Sequence, residues 1–488
     1  MADRRRTFGS LAAMATALAG CSMAPPYRPP VAAAPAAFKE AGPWQPAAPG
    51  TGPSVDWWNA FGDPTLAALE ERLGKDNPTL AGALGRYDEA RAYLAQARSG
   101  LFPQIGVSGD VTRNRQSDNR PLRGANQPDL YPADTVGGMA SYELDLWGRV
   151  RNSVAAGRAD AEASADDLAG VRLSLQARLA DAYVALRGYD LEADMLARTV
   201  AAYDQADAMT ERRFRGGIAS EIDTGRAGAQ LAEAQAQLAD VHASRALTEH
   251  AIASLVGTPA SQFTLPPDSV QLTLPDVPMI LPSALLQRRP DVAAAERRMA
   301  AANARIGVAK AAFFPSITLD GIGGFQNTGL PGLLSAPNAF WSIGPSAVLT
   351  LFDGGRRRAQ LAAARARWDQ ATADYRSGVL QAFQEVEDNL ARLYHLGIEA
   401  EAEDRAVRQA GLAEALSTNR YDKGAVSYLD VVTAQTTALR TRRQAIQLRT
   451  QRLQASIGLI RAIGGGWQAP ARSPLRETAT IPTKGQGS

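Results

Sequence analysis

The chain has 488 residues, 52 Lys+Arg against 50 Asp+Glu, one Cys and three His. A net charge of +2 with both signs interleaved excludes the basic block of a nucleic-acid binder. One Cys excludes a disulfide framework and a Cys-rich zinc site, and His242, His250 and His395 leave little room for a metal or acid–base centre. Roughly a fifth of the residues are Ala, the best helix former. Beyond residue 20 no run approaches the ~20 apolar residues of a spanning helix, so any membrane crossing is made by strands.

Arg4, Arg5 and Arg6 form a positive n-region, and Phe8 to Ala19 a short apolar h-region. Residues 1–20 therefore read as a signal peptide. Leu18-Ala19-Gly20-Cys21 resembles a bacterial lipobox, which makes Cys21 the expected lipid-bearing residue. Ser22 follows, and a residue other than Asp there implies outer membrane sorting. Segment 21–53 is rich in Pro and Ala and is expected to be an extended tether.

The rest of the chain is duplicated. Asn77-Pro78 and Arg289-Pro290 both open helical patterns, 212 residues apart. Leu101-Phe102-Pro103-Gln104-Ile105 matches Phe313-Phe314-Pro315-Ser316-Ile317 at the same offset. Gly148-Arg149 matches Gly355-Arg356 at offset 207. Arg213-Phe214-x-x-Gly217-x-x-Ser220-x-x-Asp223 matches Arg420-Tyr421-x-x-Gly424-x-x-Ser427-x-x-Asp430 at 207, and Gly257 matches Gly464. Repeat 1 spans 54–258 and repeat 2 spans 288–468. Between them lies a Pro-rich linker, 259–287, expected in an equatorial belt with parts of 54–72 and 464–470. The tail, 469–488, is expected to be disordered.

Each repeat reads as a helix, two strands, a long helix and a second helix. The first helices are expected at 77–101 and 289–313, and the strands at 104–114, 136–147, 316–326 and 340–352. The long helices are expected at 150–214 and 357–420, and the last at 218–256 and 425–463. A long helix of ~65 residues spans about 97 Å, and the two shorter helices stacked end to end match it. Leu168, Val171, Leu175, Leu179, Tyr183 and Leu186 form a coiled-coil-like seam. The strands have the length of transmembrane β-strands. Four per chain leave open edges that lipid does not tolerate, so closure needs several chains; three give twelve strands and an aqueous lumen.

Two segments carry a family resemblance: Asp56-Trp57-Trp58-x-x-Phe61-x-Asp63-Pro64-x-Leu66, and Arg288-Arg289-Pro290-Asp291-Val292-x-Ala294-Ala295-Glu296 continuing to Ile306-Gly307-x-Ala309 and Phe314-Pro315. They resemble the outer membrane factors, the TolC-like channels, and among them the lipidated OprM/NodT-type efflux proteins. The resemblance implies a homotrimeric 12-stranded β-barrel continuous with a long periplasmic α-helical barrel. It also implies docking to a periplasmic adaptor and to an inner membrane pump of the proton-driven resistance–nodulation–division type. The implied function is the exit duct of a tripartite efflux system in the Gram-negative outer membrane. A protein-secretion duct of the same family and a periplasmic adaptor or structural coiled-coil lipoprotein are the alternatives.

No catalytic constellation and no phosphate-binding motif is present, so no enzyme activity and no cofactor are expected beyond the covalent lipid on Cys21. The informative positions are the two helix–helix turns, expected to be periplasmic tips. Asp223 and Asp430 would give six carboxylates in a trimer, a ring that favours cations in a narrow pore. The same residues fit capping boxes with Ser220 and Ser427, and both roles stay open. By resemblance, Tyr421 bonds Asp223 and holds the tip closed. Val426 and Thr433 depart from the TolC pattern, which has Arg and Asp there. Leu429 is a candidate apolar constriction or ordinary helix packing. Gly216, Gly217, Ile218, Gly424, Ala425 and Val426 suit contact with adaptor hairpins, although turn chemistry also explains the glycines. Trp57-Trp58 is expected in equatorial packing, and Tyr131, Phe340 and Trp341 in an aromatic girdle.

Overall fold

The computed structural model describes residues 22–30, 35–40, 54–117, 119, 128–277 and 282–469. The signal peptide, Cys21 and residues 470–488 lie outside them. Eight α-helices and four strands are present among the described residues: α1 (Pro64–Asp76), α2 (Pro78–Ser99), β1 (Gln104–Arg115), β2 (Leu130–Glu143), α3 (Arg149–Arg215), α4 (Glu221–Leu255), α5 (Pro282–Arg288), α6 (Pro290–Ala311), β3 (Ser316–Asn327), β4 (Ala339–Val348), α7 (Arg356–Asp422) and α8 (Tyr428–Ala462).

The helix starts follow local chemistry. Pro64, Pro78 and Pro290 sit in the first turns of α1, α2 and α6, where a missing N–H costs nothing. Asp63 accepts from Thr65 N at 2.7 Å and Asn77 from Leu80 N at 2.9 Å. α1 is an element the sequence reading did not separate from the belt.

The four strands form one antiparallel sheet in the order β1-β2-β3-β4, joining the two repeats along β2 and β3. At that seam Gly324 approaches the partner backbone so closely that a Cβ would lie 2.2 Å from Val136 O. Each strand adjoins a helix in sequence, and α2, α3, α6 and α7 pack in the same lateral order below the sheet. β2 starts six residues earlier than expected and ends four earlier, and β4 ends at Val348 rather than 352. Pro132 is accommodated because residues 130–133 of β2 pair with β1 alone among the described strands; β3 begins pairing at Asp134.

α3 and α7 are each 67 residues long. The 35-residue α4 ends against the start of the 22-residue α2, where Asn77 Nδ2 donates to Leu255 O at 2.7 Å. The second repeat makes the same joint with another side chain: Arg289 Nη1 donates to Ala462 O at 3.2 Å. The paired glycines close both joints. A Cβ on Gly257 (φ +69°) would lie 2.3 Å from Asp76 O, and one on Gly464 (φ +97°) 2.0 Å from Arg288 O. This is the end-to-end stacking that the length arithmetic anticipates.

The largest core lies at mid-length. Trp57, Phe61, Leu66 and Leu73 pack with Phe263, Leu265 and Leu272 of the linker and with Tyr183, Leu186, Leu390 and Ile457 of the helices. A buried polar chain fastens the linker to the helices. Tyr183 OH donates to Asp63 at 2.6 Å, and Arg187 pairs with Asp190 at 2.9 Å and donates to Pro266 O. Arg245 pairs with Asp190 at 2.6 Å and donates to Leu265 O. Arg187, Asp190 and Arg245 each meet an opposite charge, and the Asp63 carboxylate accepts from the Tyr183 hydroxyl and Thr65 N, so each of these buried charges is bonded, which is what burial demands.

The described parts of segment 21–53 contain no helix or strand, yet they are seated on the helices. Tyr27 meets Trp368 edge-on at 6.2 Å, Phe38 is 5% exposed in the main core, and the Lys39 and Glu40 amides donate to the Glu387 carboxylate.

Candidate functional site

The two helix–helix tips are built alike. α3 ends in a Schellman motif: Gly217 adopts φ +74°, Ile218 N donates to Arg213 O and Gly217 N to Phe214 O, both at 2.8 Å. α7 ends the same way, with Gly424 at φ +72°, Ala425 N on Arg420 O at 2.8 Å and Gly424 N on Tyr421 O at 2.9 Å. The duplicated glycines are thus required by the turn. Ile218 projects fully, 81% exposed, and Gly216, Ala425 and Val426 complete the two small tip surfaces.

The second helix of each hairpin begins with a capping box. Asp223 N donates to Ser220 Oγ at 3.3 Å, while Ser220 N and Oγ donate to the Asp223 carboxylate at 3.2 and 2.8 Å. Ser427 N and Oγ donate to Asp430 at 3.0 and 2.8 Å. Asp223 also lies 3.9 Å from Arg226. Both carboxylates therefore serve as caps while keeping part of their surface open.

Tyr421 and Asp223 are not bonded to each other. The Tyr421 ring lies between the Arg213 guanidinium, 4.7 Å from its centroid, and the Tyr428 ring at 5.3 Å. Arg213 also stands 4.0 Å from Asp422. Arg213 thus joins the end of α3 to the end of α7, one hairpin to the other. Beneath it Tyr428 packs with Ala227 and Val431, and burial raises the pKa of its phenol. Arg213, Asp422 and Tyr428 are the tip residues that sequence reasoning missed as contacts. Arg213 stood among the repeat landmarks, which was the available signal. Leu429 is 47% exposed, and Thr433, one turn on, donates its hydroxyl to Leu429 O at 2.8 Å on the same exposed face of α8.

The sheet has two unlike faces. The strand register places Ile105, Val107 and Val111 on one face with Leu319, Phe325, Trp341 and Ile343. The opposite face carries Gln104, Ser108, Asp110 and Thr112 with Ser141, Thr318, Asp320 and Gln326. On it the Asp320 carboxylate accepts from Ser141 at 2.6 Å, Thr318 at 2.8 Å and Ser346 at 3.0 Å. One face suits hydrocarbon and the other water, the division of a transmembrane strand. Trp341 lies on the apolar face, whereas Tyr131 and Phe340 lie on the polar one, which corrects their place in a girdle. An aromatic pair the sequence reading did not single out sits at the strand–helix junction: Trp147 stacks on Phe314 at 4.8 Å and donates to Pro315 O. No helix among the described residues is long and apolar enough to cross a membrane, and none of their His, Cys, Asp and Glu form a metal-binding group of three or more.

A model of the family described as outer membrane efflux protein matches residues 70–258 and 281–465, one match for each repeat. The chain belongs to the outer membrane efflux protein family. Outer membrane protein OprJ of Pseudomonas aeruginosa is 32% identical over 468 residues, covering 95% of this chain and 97% of OprJ. The toluene efflux pump outer membrane protein TtgF of Pseudomonas putida is 31% identical, covering 95% and 98%. Among solved structures, the outer membrane channel OprN superposes with a TM-score of 0.83 at 31% identity, covering 92% of this chain and all of OprN. VceC of Vibrio cholerae does so at 0.80 and 29%, covering 85% and 100%. This efflux protein is accordingly a passive outer membrane channel, not an enzyme, with a large helical part in the periplasm. It functions as a trimer that pools four strands per chain, and as the outer membrane component of a tripartite pump with an adaptor and an inner membrane transporter.

Proposed function

We propose that the two hairpin tips are the periplasmic gate of this exit duct, held shut by the Arg213 bridge and opened when a periplasmic adaptor displaces one hairpin from the other. The observation that carries the reading is Arg213 lying across Tyr421 and beside Asp422, a contact between ends of helices 207 residues apart in sequence. A cation over an aromatic ring contributes roughly 0.5–2 kcal/mol, strong enough to bias a closed state and weak enough for a partner to break. Asp223, Asp430, Leu429 and Thr433 line the same end; in a trimer the two Asp supply six carboxylates near the opening. Gly216, Gly217, Ile218, Gly424, Ala425 and Val426 are the surface offered to the adaptor. Cys21 carries the covalent lipid, and the inner membrane partner is of the proton-driven resistance–nodulation–division type. Relatives described as toluene and antibiotic efflux components and as a pyoverdine export protein support small organic molecules as the cargo.

The test is a locked gate. With Cys21 lipidated, the chain has no free thiol, so Arg213→Cys/Asp422→Cys adds the only reactive pair. Bridging it in cells with a short bis-methanethiosulfonate, which forms a disulfide to each Cys as sulfinate leaves, is expected to abolish efflux, and reduction of those disulfides is expected to restore it. Undiminished efflux with the bridge verified would overturn the gate.

A further inference from the structure

The four strands hold two basic residues between them, Arg113 and Arg115, both at the far end of β1 from the helices. Their register opposite Pro132 and Leu130 puts them on the apolar face, in line with Ile105, Val107 and Val111. Two residues apart on one strand, they stand about 7 Å from each other. Both are exposed, and neither guanidinium has an ion-pair partner among the described residues. Their surroundings supply little counter-charge. β1 is an edge of the chain's sheet, so barrel closure sets β4 of a second copy beside it. Residues 321–352, which include β4 and the loop before it, contain no charged side chain, so that neighbour brings no carboxylate. Asp134 shares the face one row below Arg113, but it is 2% exposed and pairs with neither arginine. This end of the lipid-facing surface is therefore net positive.

The height of the pair fits a headgroup. The helices leave the strands on the periplasmic side, so Arg113 and Arg115 are at the exterior end. From Ile105 to Arg115 the strand rises about 34 Å, or about 26 Å along the membrane normal at a tilt near 40°. The apolar band of such a barrel is about 25 Å tall, which places the arginines at its outer rim. There the acidic groups in reach are lipid phosphates, which guanidinium groups bind through paired N–H donors. We propose that Arg113 and Arg115 form a site for outer-leaflet lipopolysaccharide, taking the phosphates of its lipid A moiety while its acyl chains lie along the apolar face below. Charge complementarity favours this occupant: two guanidinium groups side by side match a lipid that carries two phosphates better than a singly charged phospholipid. The trimer offers three such sites around the barrel.

The experiment titrates purified bisphosphorylated lipid A into the detergent-solubilised trimer and counts bound lipids by native mass spectrometry. Wild type is compared with Arg113→Gln/Arg115→Gln, whose barrel is certified by a heat-resistant trimer and unchanged single-channel conductance. The site predicts binding at least about tenfold weaker in the variant. Wild type alone gives a second test that does not depend on the variant folding: lipid A stripped of both phosphates should lose affinity by a similar factor. Equal binding by the two proteins, no binding by wild type, or binding indifferent to the phosphates overturns the site. Displacement of lipid A by an equal concentration of phosphatidylglycerol shows an unselective anionic-lipid surface and overturns the assignment to lipopolysaccharide.

Discussion

Replacing Glu70 with Gln is expected to stabilise the folded channel progressively as pH rises. Glu70 sits on the core face of α1, 2% exposed, and neither carboxylate oxygen has a hydrogen-bond partner among the described residues. Burial alone pushes its pKa from 4.5 up to about 9. The folded protein therefore keeps Glu70 protonated through neutral pH, while the unfolded chain ionises it above 4.5. For an acid with a raised pKa, the stability of the neutral folded form is whole below pH 4.5. It falls as pH rises and levels off near 9. At 1.36 kcal/mol per unit, the loss reaches about 3 kcal/mol at pH 7. Gln has the same shape and no proton to lose, so its protein escapes that slope. Any cost of the buried amide is constant with pH. Thermal unfolding of the detergent-solubilised trimer, followed by circular dichroism at pH 5, 7 and 9, gives the comparison. The midpoint difference between Glu70→Gln and wild type should grow steadily with pH. A difference independent of pH would refute the reasoning, because it would mean that Glu70 ionises inside the fold.

Gly464→Ala should cost at least about 2 kcal/mol, from a left-handed backbone and a Cβ driven onto Arg288 O, and should lower the unfolding midpoint accordingly. Gly217→Ala meets open space and carries only the backbone cost of about 1–2 kcal/mol, with faster amide exchange confined to the tip. Ser427→Ala removes one side of the capping box and should cost about 1 kcal/mol, seen as faster exchange in the first turn of α8 with the main core unaffected.

The helices were legible because their ends carry local chemistry. Pro after Asn77 and Arg289, Gly at 148 and 355, and the Gly-then-Ser spacing at both tips mark boundaries that the structure meets within about three residues. The strands were less legible. Residues 130–135 of β2 fell outside the expected strand, and Pro132 stands among them; its tolerance depends on β3 pairing only from Asp134, a fact about neighbours rather than about the segment. The tip residues divided the same way. Asp223 and Asp430 were found because a capping box is local. The Arg213–Tyr421 contact was not, because it joins segments about 207 residues apart and rests on how α3 and α7 lie side by side. The unpartnered Glu70 is likewise invisible without packing; in sequence it is one more polar residue on a helix.

A three-chain duct closed at its periplasmic tips by the hairpin-to-hairpin contact should conduct freely only when that contact is broken. Single-channel conductance in a planar bilayer tests it most directly, with wild type beside Arg213→Ala/Tyr421→Ala. Wild type should insert and pass small currents, and the double variant stable steps several times larger, since the bridge and its ring are gone while the caps at Ser220 and Ser427 remain. Equal conductance from both, with insertion verified, would contradict the gate; no conductance from either would contradict the duct itself.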